Sequence, residues 1–180
     1  MDKYGTIITP NTIRFERLLP GPIERVWAYL TDPDKRSKWL AGGPMELRVG
    51  GEVKLWFHHK YLDAVQDEAP PRYEQYVNGS HMMGHVTRCE PPHVLSYSWS
   101  ESTPERVSEV TFELSARGKE VLLVLTHHRL PDHKELLGVA GGWHTHLDIL
   151  DEHLQGRTSP GFWGAHAIVD AAYEQRFGKA

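Results

Sequence analysis

The chain has 180 residues, 39% of them apolar and 24% charged, with a formal net charge of −4. That length fits one ordinary domain and leaves too little chain for two independent cores. A mean hydropathy of −0.49, and no stretch near the roughly 20 apolar residues of a spanning helix, exclude a membrane-spanning protein. Residues 1–12 lack the basic-then-apolar build of a signal peptide, so a cytoplasmic location is expected. Lys and Arg are scattered apart from the run Lys35, Arg36, Lys38, which gives no electrostatic footprint for nucleic acid. The single cysteine, Cys89, excludes an internal disulfide and any thiolate-cluster zinc site. Twelve histidines and six tryptophans are the excesses that packing or a site must account for.

Residues 1–11 read as an irregular arm. From Thr12 to Leu18 apolar and polar residues alternate, the period of a strand with one buried face. Pro20-Gly21-Pro22 ends it, and Ile23, Val26, Trp27 and Leu30 recur at helical spacing with Pro22 suited to the first helical position. Asp32 is placed to cap a second short helix that starts with Pro33 and runs through Lys38 and Trp39.

After Gly50-Gly51 the pattern switches to strands over 52–58, 82–89, 94–99, 107–114 and 121–128. The short turns between most of them, Pro91-Pro92, Ser102-Thr103-Pro104 and Arg117-Gly118, mean antiparallel neighbours. Residues 60–80, with Asp63, Asp67, Glu68, Pro70 and Pro71, form a long surface excursion of the kind that often carries function. Leu136, Ala140, Trp143, Leu147, Leu150 and Leu154 then step by three or four, predicting a helix over 131–155 that is about 35 Å long. Its buried face should hold Trp143, with Asp148, Asp151 and Glu152 exposed. Gly156 closes the helix, and Thr158-Ser159-Pro160-Gly161 leads to a last helical stretch over 163–177.

This order is an α+β plan in which a long helix packs on one face of a curved antiparallel sheet. It resembles the helix-grip fold of the START, Bet v 1 and polyketide cyclase-like proteins. Residues 13–27 with Asp32-Pro33 and Trp39, residues 84–99 with Glu90-Pro91-Pro92, residues 123–127, and Gly142-Trp143 through Leu147-Asp148 sharpen the match. Together they resemble the domain named after the C-terminal half of the activator of the Hsp90 ATPase, over residues 12–155. The implied organisation is an arm at 1–11, a helix-grip domain at 12–156, and an extension at 157–180 whose short helix packs on the domain.

Such a fold leaves a wedge between sheet and helix. The expected lining is Leu55, Phe57, Leu95, Tyr97, Trp99, Phe112, Leu123, Leu125 and His127 from the strands, with Trp143, Leu147 and Leu150 from the helix. A mostly apolar set with a few polar ends suits a small molecule, although the same residues could simply fill a core. Gly138, Gly141 and Gly142 weaken the long helix by about 1 kcal/mol each relative to alanine. They serve either close packing or the volume of a pocket.

Adjacent strand histidines such as His58-His59 and His127-His128 face opposite ways, and His144 and His146 do not share a helix face, so no pair chelates by itself. His58, His127 and His146 could converge only at the mouth of the wedge; the histidines are otherwise solvated or hydrogen-bonded, and no metal or cofactor is expected. His127 continues the inward alternation of Leu123 and Leu125, which makes it the leading candidate for an acid, a base or a ligand anchor. His144 and Asp148 are spaced to pair on the helix surface, and Cys89 reads as an inert strand residue.

The expected function is non-enzymatic binding of a small hydrophobic or amphipathic molecule. A cyclase- or hydrolase-like enzyme using the same cavity, with His127 or Tyr97, is an alternative. A chaperone accessory or stress-response protein is a further one, implied by the family name alone. On strand 121–128, Leu122 and Val124 point outward yet are apolar. Either the stretch around Phe162, Trp163 and Ile168 covers them, or two copies meet there as a homodimer.

Overall fold

The structure, a computed structural model, describes residues 2–62, 67–101, 103–159 and 161–179; Asp63, Ser102 and Pro160 lie outside them. Its strands are β1 (Thr6–Thr9), β2 (Thr12–Pro20), β3 (Glu52–Phe57), β4 (Ser80–Glu90), β5 (Val94–Trp99), β6 (Ser108–Arg117) and β7 (Glu120–His128), and its helices are α1 (Ile23–Thr31), α2 (Pro33–Arg36), α3 (His133–Leu154) and α4 (Phe162–Phe177). The strands form one curved antiparallel sheet in the order β1-β2-β7-β6-β5-β4-β3. With α3 across it, this is the α+β helix-grip architecture.

Strict alternation sets the register of the sheet. Ile13, Phe15, Arg17 and Leu19 of β2 lie opposite His127, Leu125, Leu123 and Val121 of β7, and all eight are buried. On the far side of β7, Val110, Phe112 and Leu114 continue the same rows. Onto this face α3 lays Leu136, Ala140, Trp143, Leu147, Leu150 and Leu154, none more than 3% exposed. Asp132 starts α3 by accepting from the Glu135 amide at 2.7 Å, which satisfies one of the orphan donors of the first turn.

Several expectations need correction. The N-terminal arm is not wholly irregular, because β1 pairs with β2 as an edge strand. Helix α2 ends at Arg36 instead of reaching Trp39. Asp32 does cap it, accepting from the amides of Asp34 and Lys35. Beyond that cap the buried Arg36 guanidinium takes over: it donates to the carbonyls of Thr31 (3.0 Å), Ala41 (3.1 Å) and Gly43, gathering the chain into a turn. Asp151 is 9% exposed rather than solvated. It lies within 3.6 Å of Lys3 and accepts from Gln155 at 2.6 Å.

The C-terminal stretch does not fold over Leu122 and Val124. Helix α4 packs on α3, with Phe162 and Trp163 buried and Ile168 74% exposed. The physical reason lies in α3, which carries a second apolar row beside the one on the sheet. Leu137 and Gly141 are buried along with Leu136 and Ala140, and a helix covered on two sides needs a second layer. The 60–80 excursion also returns to the body. Its 3-10 turn Pro71–Tyr76 stacks Tyr73 on Trp163 at 5.6 Å. Asp67 accepts from the Gly164 amide at 2.6 Å, in the first turn of a helix that has no side-chain cap of its own.

Candidate functional site

A hollow of about 650 Å³ opens between the first half of α3, the start of α4, the 71–76 turn and the ends of β3, β4 and β5. It exists because α3 loses its side chains on that flank. A methyl group placed on Gly138 or Gly142 would meet nothing within 4 Å, whereas one on Gly141 would come within 3.1 Å of Asp170 Oδ1 and 3.3 Å of His166 Nε2. The three glycines therefore divide: Gly141 lets α4 approach, and Gly138 and Gly142 open volume.

Of the expected lining, Phe57, Trp99 and Trp143 border the hollow. Leu55, Leu95, Tyr97, Phe112, Leu123, Leu125, His127, Leu147 and Leu150 do not; each is at most 1% exposed and sealed in the core. Large side chains on both layers fill the wedge at the centre of the sheet, and space survives only where α3 carries glycine. Trp99 and Trp143, with ring centroids 5.3 Å apart, form the floor.

His127 lies beneath that floor. Its Nδ1 accepts from Trp143 Nε1 at 2.9 Å, so the proton sits on Nε2 and is donated to Ser108 Oγ at 2.8 Å. Burial, with a smaller push from His128, drops its pKa to about 3. With both nitrogens engaged, this imidazole orients the Trp143 indole and has no free edge to offer a ligand.

The side wall is a ring cluster of which sequence reading singled out only part. His59 stands 4.3 Å from Phe162, 5.1 Å from Trp163 and 5.4 Å from His146. His166 lies 5.5 Å from Phe162 and 4.9 Å, edge to face, from Tyr73. Of the trio His58, His127 and His146, only His146 borders the hollow, and His59 rather than exposed His58 reaches it. His146 Nδ1 donates to the Trp39 carbonyl at 2.6 Å. Among the described residues no group of three or more His, Cys, Asp or Glu side chains is arranged to hold a metal ion. The aromatic density of Phe162, Trp163, Tyr73 and Tyr76 was the signal that could have marked this wall.

Burial keeps these imidazoles neutral. It lowers His59 to about 4, with smaller contributions from His166 and His58, and lowers His166 to about 4, helped by Arg72. His146 falls well below its ordinary value, by burial first and His59 second. At the rim, Arg72 pairs with Asp170 and, at 3.2 Å, with Glu174, while Tyr73 donates to Asp170 Oδ2 at 2.7 Å. Glu135 is held by Arg106 at 2.6 Å. The result is an aromatic side wall that holds neutral imidazoles, beside a rim where Arg72, Asp170, Glu174 and Glu135 are paired and Lys134 is exposed.

An antiparallel sheet gripping a long helix, with an aromatic-walled hollow beside that helix, defines a helix-grip protein of the START and Bet v 1 kind. The model of the activator of Hsp90 ATPase homolog 1-like protein family matches residues 20–155, and the chain belongs to that family. Among solved structures, a Bordetella parapertussis protein is 48% identical, covering 99% of this chain and 92% of its own, with a TM-score of 0.82. CalU16 from Micromonospora echinospora is 27% identical over 91% of this chain and 86% of its own, with a TM-score of 0.65. A Mesorhizobium loti protein at 24% identity, covering 83% and 99%, shares the fold with a TM-score of 0.61. No curated protein matches the chain.

Proposed function

We propose that this protein binds a small hydrophobic or amphipathic molecule, without transforming it, in the chamber between α3, α4 and the 71–76 turn. The observation that carries this reading is the combination of about 650 Å³ of space with the open flank of Gly138 and Gly142. The volume falls within the roughly 300–1,000 Å³ of small-molecule sites. Micromolar affinity is about 8 kcal/mol, which about 10 to 15 apolar heavy atoms supply at roughly 0.5 to 0.8 kcal/mol each. His127, the residue best suited by sequence to acid–base work, is engaged elsewhere, which favours binding over catalysis.

Titration with naphthalene, followed by its own fluorescence and by quenching of the wall tryptophans, tests the reading. Micromolar binding is expected for the native chain, with at least a tenfold loss in Gly142→Leu at nearly unchanged melting temperature. Native protein that binds no apolar probe sinks the proposal. A second reading, a cyclase- or hydrolase-like enzyme, draws on the neutral imidazoles of His59 and His166 at the same wall. Native mass spectrometry of gently purified protein separates the two, because a binding protein carries one co-purifying molecule and returns it chemically unchanged.

A further inference from the structure

The side wall of the chamber contains two polar atoms that the protein leaves without a partner. His59 Nδ1 and His166 Nδ1 are both shut from water and make no hydrogen bond, and His166 as a whole is only 4% exposed. Buried polar atoms are nearly always satisfied, so each such exception needs a reason. The nearby groups that could pair with them are already committed: Arg72 to Asp170 and Glu174, Glu135 to Arg106, and the Tyr73 hydroxyl to Asp170.

We propose that the chamber selects an uncharged aromatic molecule bearing a hydroxyl group, its ring among Trp99, Trp143, Phe162 and Trp163 and its hydroxyl on the Nδ1 edge of His59 or His166. This rests on the binding reading above and specifies its ligand class. Aromatic walls favour an aromatic guest, because offset and edge-to-face ring pairs gain beyond the area they bury. A hydroxyl both donates and accepts, so it satisfies an imidazole Nδ1 in either tautomer, whereas a carbonyl only accepts. The second side-chain torsion of histidine is broad and two-fold, which lets the ring turn this edge toward the chamber. A carboxylate against the His59 and His166 wall would meet neutral imidazoles and an Arg72 already paired with Asp170 and Glu174, and would give up hydration there without compensation. Fatty acids are thereby disfavoured.

Three probes of one skeleton test this at pH 7 on the full-length protein: naphthalene, 2-naphthol, which is neutral there as phenols are, and 2-naphthoate. The expected order is 2-naphthol tightest, naphthalene about three- to tenfold weaker, as one net hydrogen bond implies, and 2-naphthoate weakest. In His59→Phe or His166→Phe the advantage of 2-naphthol over naphthalene should shrink towards one, while naphthalene binding persists and reports an intact chamber. Naphthalene binding as tightly as 2-naphthol, or 2-naphthoate binding tightest, overturns the ligand class and leaves the binding reading standing. If none of the three binds, the binding reading itself falls. The order of the three probes on the native chain decides the matter even if a variant does not fold.

Discussion

Trp143 fills the floor of the chamber and holds His127 in one tautomer, so one side chain joins packing to polar satisfaction. It is 3% exposed. Trp143→Ala should therefore cost about 3–5 kcal/mol, the range for large core aromatics, measured by denaturant unfolding; a loss below about 1 kcal/mol would contradict this packing. His127 itself sets a pH dependence. Held at about 3 by burial against about 6.5 in an unfolded chain, it is neutral in the folded protein, while the unfolded chain takes up a proton first on acidification. Its contribution to stability is whole above about pH 6.5 and is lost as pH falls from there towards 3, with a slope of up to about 1.4 kcal/mol per pH unit. His59 and His166 act in the same direction between about 6.5 and about 4. Stability measured against pH should fall steadily from pH 7 to pH 4.5. His127→Gln keeps one donor and one acceptor but no titrating group, and should flatten that fall by close to one proton; an unchanged slope would show that His127 is not the neutral core residue described.

On α3, three glycines within five residues do different work, and alanine separates them. Gly138→Ala meets open space and gains helix propensity, so it should stabilise by about 0.5–1 kcal/mol. Gly141→Ala brings a methyl group to 3.1 Å from Asp170 and 3.3 Å from His166. It must push α4 away or cancel its own propensity gain, so it should be neutral to destabilising. Thermal melts of the two variants check the contrast, and equal stabilisation in both would remove the argument that Gly141 sets the approach of α4. Helix periodicity alone could not assign these roles, since one residue along the helix is a turn of about 100°, enough to move from a covered face to an open one.

Across the whole molecule, one largely buried chain of polar contacts ties both termini to the core. Tyr173 accepts from the Gly5 amide at 2.7 Å and bonds His144 Nδ1 at 3.0 Å. His144 lies 3.4 Å from Asp148, which also meets the buried Arg17 of β2 at 3.4 Å. The i, i+4 pair expected on the helix surface is thus only partly at the surface, with His144 4% exposed and the Asp148 side chain 37% exposed. Tyr173→Phe strips partners from the Gly5 amide and from His144. It should cost about 1–3 kcal/mol and speed amide exchange in α4 and β1 before the central strands. Uniform acceleration over the whole sheet would instead mean that the termini unfold only with the core.

Local chemistry was enough to determine strands β2 to β7, the Asp32 cap, the inward face of β7 and the sheet-facing row from Leu136 to Leu154, but not the edge strand β1, whose pairing is a tertiary contact. Alternation by two and steps of three or four are properties of neighbouring residues, and they dictated an α+β plan before any contact was known; the helix-grip fold came from the resemblance that the element order carries. The site was only partly legible, through Phe57, Trp99, Trp143 and the glycines. Whether a buried row becomes solid core or borders a space depends on where two layers touch, and periodicity carries no such information. Only the tertiary structure closed the wedge over Leu123, Leu125 and His127, docked α4 on the second face of α3, and set His59, just past β3, and His166 of α4, more than a hundred residues apart, around the same Phe162 ring. These outcomes follow from side-chain volumes meeting across layers, which no single segment of the chain encodes.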